Sequence, residues 1–170
     1  MAEEPADQNE SKRNNRLIAV VLDPGSIERG TPDQEHERLT AIYDLVEENA
    51  FALPDGREGP FVLHMGMVNA RLVFDIRSES GQSIIIHGLS MSPFRRVIKD
   101  YFMICESYYA AIRTASAEQI EAIDMGRRGV HNEAAEIVVE RLRGKVEIDF
   151  PTARRLFTLL MALSWTGRET

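Results

Sequence analysis

The stretch that decides the fold is FVLHMGMVNARLVFDIRSESGQSIIIHGL, residues 61–89, in which three short apolar runs alternate with turn-prone residues. The runs at 61–67, 71–77 and 82–89 are rich in β-branched and aromatic residues, so the stretch predicts a three-stranded meander. If Leu63 pairs with Phe74 and Phe74 pairs with Ile86, one face of the meander is strongly apolar. That face consists of Phe61, Leu63, Met65, Leu72, Phe74, Ile76, Ile84 and Ile86.

A fourth strand and five helices are predicted around the meander. The run LIAVVL, residues 17–22, is apolar at both alternating positions, which is typical of a central strand covered on both faces. Capping residues and helical spacing predict helices over 31–49, 93–113, 116–125 and 132–144 and a buried last helix from about 149. The predicted fold class is therefore α+β, with a mostly antiparallel sheet of about four strands and a helical C-terminal half.

Two of these helices carry clear apolar faces. In the first helix, Thr31 and Gln34 form a predicted capping box, and Leu39, Ile42, Tyr43 and Val46 recur at helical spacing. The helix 93–113 has a broad apolar face, which we expect to pack on the meander. Its members are Phe94, Val97, Ile98, Tyr101, Phe102, Ile104, Cys105, Tyr108, Tyr109 and Ile112.

Length and composition predict one domain of ordinary size. Residues 1–15 contain almost no large apolar side chain and are predicted to form a flexible tail, which leaves 16–167 as a single α+β domain. There is one cysteine, Cys105, and the first 15 residues lack an apolar signal core, which together indicate the cytosol. The longest dense apolar run, residues 156–165, is about half the length that a membrane span needs.

The charge is unevenly distributed along the chain. The net charge is −7, yet residues 1–90 hold 8 basic and 16 acidic side chains whereas residues 91–170 hold 12 and 11. Because nonspecific nucleic-acid affinity comes largely from Lys and Arg that neutralise phosphates, the overall charge argues against extensive nucleic-acid binding. A local basic face in the second half remains open.

Three segments carry a resemblance to known sequences: PFRRVIKDYFMICESYYAAIR at 93–113, QIEAIDMGRRGVHNEAAE at 119–136 and TARRLFTLL at 152–160. They resemble a family of small uncharacterised alphaproteobacterial proteins, and the similarity extends over nearly the whole chain after the tail. The resemblance implies a bacterial cytosolic setting. It implies no activity, ligand or catalytic residue, since none is established in that family.

The first candidate site is the segment Gly126-Arg127-Arg128-Gly129 with the following His131 and Asn132. Two guanidinium groups in a glycine-flanked loop before a helix N-terminus would offer charge and free backbone N–H groups to a phosphate or carboxylate. The alternative is structural: Gly126 ends one helix, Asn132 begins the next, and the arginines pair with nearby acids.

The second candidate is a basic face at the start of the helix 93–113, formed by Arg95, Arg96 and Lys99, with Arg113 farther along. Cations in the first turns of a helix oppose its dipole, so such a face favours an acidic partner. The partner is either the acid-rich first helix, of this molecule or of a second subunit, or a phosphate or nucleic-acid ligand. That helix region offers Glu35, Glu37, Asp44, Glu47 and Glu48.

The third candidate is a metal or acid–base site formed by His64, Asp75 and His87. In the predicted register all three lie on the second face of the meander, where two imidazoles and a carboxylate could bind a metal. Histidines scattered over a half-covered face are the structural alternative. Cys105 lies within an apolar helical face and is interpreted as a small core residue rather than a nucleophile.

Taken together, the motifs favour a non-enzymatic interaction or regulatory domain of the bacterial cytosol that associates with itself as a homodimer or with another cytosolic protein. The alternatives are a domain that binds a phosphorylated ligand or RNA through its arginines, and a metal-assisted hydrolase. No cofactor is predicted. An enzyme is disfavoured because the chain shows no nucleophile–base signature, metal motif or phosphate loop.

Overall fold

The computed structural model describes residues 14–164, which form two sheets and four α-helices. The strands are β1 Leu17–Leu22, β2 Phe51–Ala52, β3 Phe61–Val68, β4 Arg71–Ser78, β5 Ser83–Ser90 and β6 Glu147–Ile148. The helices are α1 Pro32–Glu47, α2 Arg95–Thr114, α3 Ala117–Leu142 and α4 Phe150–Ser164, with a short 3₁₀ turn, Ser92–Phe94, before α2. The α+β class is confirmed. Most of the predicted tail, residues 1–13, and the predicted domain end, 165–167, lie outside the described residues.

The main sheet has the strand order β1-β3-β4-β5 and is mixed, because β1 runs parallel to β3 while the other neighbours are antiparallel. The prediction of a mostly antiparallel sheet with β1 at its centre is therefore wrong in part: two of the three strand pairs are antiparallel, but β1 is parallel to its neighbour and lies at the edge. Parallel neighbours need a crossover connection, and α1, which follows β1 and packs against it, supplies one. β1 lies at the edge, where Leu17 and Val20 are buried and Val21 is exposed.

The three meander strands are confirmed, but their predicted register is wrong. Leu63 pairs with Ile76 instead of Phe74, a shift of two residues that leaves the predicted apolar face of β3 and β4 intact and buried. Phe74 pairs with His87 instead of Ile86, and this shift of one residue reverses the faces of β5. Ile86 is consequently 60% exposed. The cause is a bulge between Ile76 and Arg77, which the alternation of apolar residues does not reveal.

Side chains hydrogen-bond to the outer edges of this sheet. At β1 the side-chain amide of Asn49 accepts a 2.7 Å hydrogen bond from the N–H of Leu17 and donates a 3.0 Å bond to its carbonyl. At β5 the carbonyls of Ile84 and Gly88 accept hydrogen bonds from Arg57 and Lys145, respectively. The backbone groups at these positions are therefore already paired.

The first helix begins at the predicted Thr31 capping box, but its buried face is rotated from the predicted one, of which only Ile42 and Val46 pack against the core. Its buried residues are Gln34, Arg38, Ala41 and Leu45, whereas Leu39 and Tyr43 are each 66% exposed. The guanidinium group of Arg38 determines this rotation because it donates to the backbone carbonyls of Glu28 and Ala162 at 2.9 and 3.4 Å. The buried face of α1, which was predicted to be apolar, thus contains an arginine whose guanidinium group binds backbone carbonyls.

The segment 116–142 is one continuous helix, α3, so the prediction of five helices is wrong and the described chain has four. The Ser116 capping box is confirmed. Gly126 does not end a helix: a Cβ atom at this position would lie 2.8 Å from Cδ1 of Ile104, so the missing side chain lets α2 and α3 approach closely. Asn132 lies inside α3 and caps nothing. A mid-helix glycine costs about 1 kcal/mol relative to alanine, and this helix contains two.

The helices differ in how completely their apolar faces are covered. α4 is the most buried, with Ala153, Leu156, Phe157, Leu159 and Leu160 inside the core, as predicted for the last helix. α2 buries only Val97 and, just before it, Phe94. It packs chiefly along α3, and this helical hairpin leaves the core as it approaches its turn at 115–116. Within the described residues, no helix combines the length and apolar character needed to cross a bilayer.

Candidate anion-binding site

The main candidate site is a cavity of about 620 Å³ between α2, α3 and α4. We call it the arginine pocket, and its polar lining is formed by Tyr101, Arg127, Arg128, His131, Arg154, Arg155 and Thr158. Arg127, Arg128 and His131 occupy adjacent turns of α3. Arg154, Arg155 and Thr158 occupy adjacent turns of α4.

His131 lies in a closed ring of hydrogen bonds that determines its tautomer. Nε of Arg154 donates to Nδ1 of His131 at 3.1 Å, so Nδ1 carries no proton. The Nε2–H group therefore donates to the hydroxyl of Thr158 at 3.0 Å, and that hydroxyl donates to the Arg154 carbonyl at 3.2 Å. Burial, followed by the charges of Arg154 and Arg127, lowers the pKa of His131 to about 4. His131 is neutral at physiological pH, and it orients Arg154.

Asp124 pairs with both arginines of α3. Its Oδ1 accepts from Nη2 and Nε of Arg127 at 2.7 and 3.1 Å, and its Oδ2 lies 2.8 Å from Nη2 of Arg128. The hydrogen bond from Arg127 is the main cause of a lowered pKa of Asp124, and the same bond raises the pKa of Arg127. The guanidinium group of Arg127 also lies 5.8 Å from the ring centre of Tyr108. These contacts hold Arg127 in place at the cavity wall.

The remaining arginine, Arg155, donates to the carbonyl of Glu48 at 3.2 Å and to its carboxylate at 3.4 Å. Glu48 is strongly exposed, so water screens this pair. Four guanidinium groups thus meet two carboxylates, and the pocket carries a formal charge of +2. Among the described residues, none accepts a hydrogen bond from the two terminal nitrogens of Arg154. This arrangement can bind an anion that has several acceptor oxygens.

The structure brings together only part of the predicted ligand-binding set. Arg127, Arg128 and His131 meet in the pocket, but on a helix rather than in a loop before a helix N-terminus. Asn132 does not line the pocket, and its buried Oδ1 has no partner among the described residues. The predicted interruption is absent because α3 continues through both glycines.

The basic face at the start of α2 lies elsewhere. Arg95 and Lys99 line a separate cavity of about 750 Å³ that also contains Met67, Met91 and Phe102. Arg96 is strongly exposed and lies 3.6 Å from Asp100 of its own helix. Within the described residues, the ion pairs of the α1 region join Glu35 to Arg38 and Glu48 to Arg155, so none joins its acids to this basic face.

The predicted histidine site is divided between the two faces of the sheet. His64 and Asp75 are cross-strand neighbours, but His87 pairs with Phe74 and points to the opposite face. Burial raises the pKa of Asp75, yet hydrogen bonds from Ser83 and Arg77 and nearby positive charge outweigh burial and lower it. In the part of the chain that the structure describes, no cluster of three or more His, Cys, Asp or Glu residues is placed to bind a metal.

Sequence reasoning missed four of the seven polar residues that line the pocket: Tyr101, Arg154, Arg155 and Thr158. A signal for two of them exists, because Arg154-Arg155 is an arginine pair like Arg95-Arg96 and Arg127-Arg128. Which two of the three pairs lie together depends on how α4 packs against α3. Nothing in the local pattern specifies that contact.

Comparison with known proteins places the sequence in one group. A family model described as "Uncharacterised protein family (UPF0262)" matches residues 14–166. A UPF0262 protein of Rhodopseudomonas palustris (strain HaA2) is 62% identical over 154 residues, which cover 91% of this chain and 94% of the relative. One from Bradyrhizobium diazoefficiens is 58% identical over 165 residues, with 96% and 98% covered. No solved structure matches this one.

Proposed function

The chain belongs to the uncharacterised protein family UPF0262, and we propose that it is a binding domain that captures a phosphate-bearing ligand in the arginine pocket. No activity is established for the family, so the proposal rests on the site itself. The observation that carries it is the excess of guanidinium groups over carboxylates around one cavity of about 620 Å³. Cavities of roughly 300–1,000 Å³ suit small-molecule ligands.

The chemistry of the pocket favours phosphate over other anions. Arginine presents paired N–H groups that match the oxygens of a phosphate, and two or more arginines can share its three terminal oxygens. A compact phosphorylated molecule fits better than RNA, because the second basic cluster, Arg95 to Lys99, lines a different cavity. The net charge of −7 also opposes a long polyanion.

The hydrogen bonds of His131 favour binding over catalysis. Nδ1 accepts from Arg154 and Nε2 donates to Thr158, so both ring nitrogens already have partners. A general base must be able to take a proton from its substrate. His131 instead holds Arg154 in place, and the proposed role of the pocket is recognition.

Isothermal titration of the full chain with inorganic phosphate, a nucleoside monophosphate and an RNA oligonucleotide tests this proposal. We expect the first two ligands to bind and Arg154→Ala to weaken their binding at least tenfold, since charge-assisted hydrogen bonds each contribute about 1.5–3 kcal/mol. The matched control is Arg143→Ala, an exposed arginine at the end of α3. Equal phosphate binding by Arg154→Ala would contradict the proposal. Tight binding of RNA alone would indicate a polyanion site instead.

We also infer that the chain associates with itself as a homodimer in the bacterial cytosol. A specific observation favours self-association: Tyr109 is 72% exposed and Met125 is 65% exposed, both on the hairpin of α2 and α3. Large apolar side chains grouped on a surface are typical of protein interfaces. Sedimentation of the purified protein over a wide concentration range measures this directly. A strict monomer at high concentration would contradict it.

A further inference from the structure

A second cavity, of about 750 Å³, lies between α2, the turn that joins β3 to β4, and the end of α4. It has no lining residue in common with the arginine pocket. Its inner wall consists of four half-buried apolar side chains that pack against the hydrophobic core: Met67, Met91, Ile98 and Phe102. We call this cavity the methionine groove. Its volume lies in the range that suits a small-molecule ligand.

The methionine groove extends along α2. Its lining residues on that helix run from Arg95 to Glu106 at the spacing of one helical face, and they span about 16 Å of the helix axis. Methionine side chains are unbranched and flexible, so a wall that contains them adapts to an irregular apolar surface. An elongated apolar ligand therefore suits the groove better than a compact one.

The charges of the groove indicate the head group of that ligand. Arg95 and Lys99 are exposed and lie one turn apart at the start of α2. Within residues 14–164 no carboxylate forms an ion pair with either of them, since the nearby Asp100 pairs with Arg96. Glu106 lines the far end of the groove and already has an interaction within the chain. An anionic head group therefore belongs at the end where α2 begins.

The size of this charge distinguishes the groove from the arginine pocket. Two cations and one carboxylate line the groove, which gives it a formal charge of +1. A single carboxylate balances that charge, whereas a phosphate group carries nearly two negative charges and matches the +2 of the arginine pocket. Charge complementarity thus favours a monovalent anion in the groove.

We propose that the methionine groove binds an unbranched fatty acid, with its carboxylate paired with Arg95 and Lys99. The acyl chain lies along Ile98 and Phe102 towards Met103. Burial of the chain supplies most of the affinity, and the two charge-assisted contacts orient the ligand. The site is independent of the proposed phosphate site.

Isothermal titration of the full chain with decanoate tests the proposal. We expect saturable binding of one decanoate per chain, at least tenfold tighter than that of hexanoate, because each buried methylene group adds to the affinity. Decanol has the same chain without the charge and should bind at least tenfold more weakly than decanoate. Absence of saturable decanoate binding, or equal binding of either comparison ligand, would overturn the proposal.

A pair of double variants tests the head group. Arg95→Gln with Lys99→Gln should weaken decanoate binding at least tenfold and leave decanol binding within about twofold, since it removes charge from the groove but not its apolar wall. Arg96→Gln with Arg113→Gln removes two cations of the same helix that do not line the groove, and it should bind decanoate like wild type. Equal decanoate affinity of the two double variants would contradict the proposal.

Two exposed methionines test the path of the acyl chain. Met103→Glu places a carboxylate in the apolar part of the groove and should abolish decanoate binding. Met125→Glu, at a comparably exposed methionine of α3 outside the groove, is the matched control and should bind like wild type. Circular dichroism should show the same helix content in both variants. If both variants bind decanoate equally, the chain does not lie along α2.

Two further variants identify other occupants and other sites. Arg154→Ala should weaken phosphate binding and leave decanoate binding unchanged. Loss of decanoate binding in this variant would place the fatty acid in the arginine pocket, which overturns the present proposal and leaves the phosphate proposal standing. Trp165→Ala alters the residue that follows Ser164, which lines the groove. Decanoate binding by this variant but not by wild type would show that the chain's own last residues cover the groove, which also overturns the proposal.

Discussion

The meander and the hairpin of α2 and α3 use the same kind of apolar pattern with opposite results. On β3, Phe61, Leu63 and Met65 are fully buried because they belong to the hydrophobic core cluster that the sheet shares with helices of the same chain. On the hairpin arm, residues 103–130, Met103, Tyr109 and Met125 are all more than half exposed. The comparison shows that an amphipathic pattern specifies which face must be covered. It does not specify whether the cover comes from the same chain.

The largest expected loss of stability comes from removing the aromatic ring of Phe157 in the core. Phe157 of α4 is fully buried and makes edge-to-face contacts with Tyr101 and His131. We expect Phe157→Ala to lower the free energy of unfolding by about 3–5 kcal/mol, because it leaves a cavity in the core. Urea denaturation followed by circular dichroism measures this change. A loss below about 1 kcal/mol would show that α4 is packed more loosely than the structure indicates.

Acid should destabilise the folded protein through His131, the buried histidine of the arginine pocket. The folded-state pKa of His131 is about 4 and its ordinary value is 6.5, so the unfolded chain binds the extra proton between these values. Stability is therefore fully present above about pH 6.5 and is lost as the pH falls towards 4, by up to about 3 kcal/mol.

Urea denaturation at several pH values checks this window. His131→Gln keeps a side chain that can accept from Arg154 and donate to Thr158 but cannot titrate, so its stability should vary less with pH. The pKa of His87 is lowered mainly by burial and acts in the same direction, which makes His87→Gln the necessary control. If His131→Gln retains the full pH dependence, its imidazole is not the group responsible.

Because α3 is one continuous helix, replacing its glycines with alanine should change the stability of the protein by a smaller amount. Gly129 lies inside the helix and a Cβ atom there would meet nothing within 4 Å, so Gly129→Ala should stabilise the protein by about 1 kcal/mol. Gly126→Ala should gain less, since the side chain of Ile104 must first move. Thermal unfolding measures both. Destabilisation by Gly129→Ala would instead favour the loop that the sequence suggested.

The smallest change in the free energy of unfolding is expected for Tyr109, near the end of the hairpin arm. Tyr109→Ala removes a ring that is mostly exposed in the monomer, so at dilute, monomeric concentration it should change the free energy of unfolding by less than about 0.5 kcal/mol. Chemical denaturation at low protein concentration measures it. A loss comparable with that of Phe157→Ala would mean that the arm is part of the core after all.

Local chemistry made much of the fold predictable. The capping boxes at Thr31 and Ser116 and the apolar alternation of β3 and β4 each depend on residues close in sequence. The errors arise where a distant contact overrides the local pattern. The contact with Ile104 explains Gly126 inside a helix, and the backbone acceptors of Arg38 rotate α1.

The candidate site was predictable only in part, for the same reason. Arg127, Arg128 and His131 could be recognised as a group because they are close in sequence. Arg154 lies 23 residues beyond His131, and the two meet only because α4 folds back along α3. An exposed or buried position on a helix follows from tertiary packing, so the sequence could not show that the basic cluster Arg95 to Lys99 would lie apart.

The side chains at the sheet edges determine which kinds of assembly the protein avoids. A free edge offers unpaired N–H and C=O groups that can template another strand, which is the first step towards cross-β aggregates. Asn49 acts as a one-residue strand against Leu17, while Arg57 and Lys145 place cations on the carbonyls of Ile84 and Gly88. An incoming strand would have to displace these groups at both edges. Strand addition at Leu17, Ile84 or Gly88 would therefore have to begin by breaking an existing hydrogen bond.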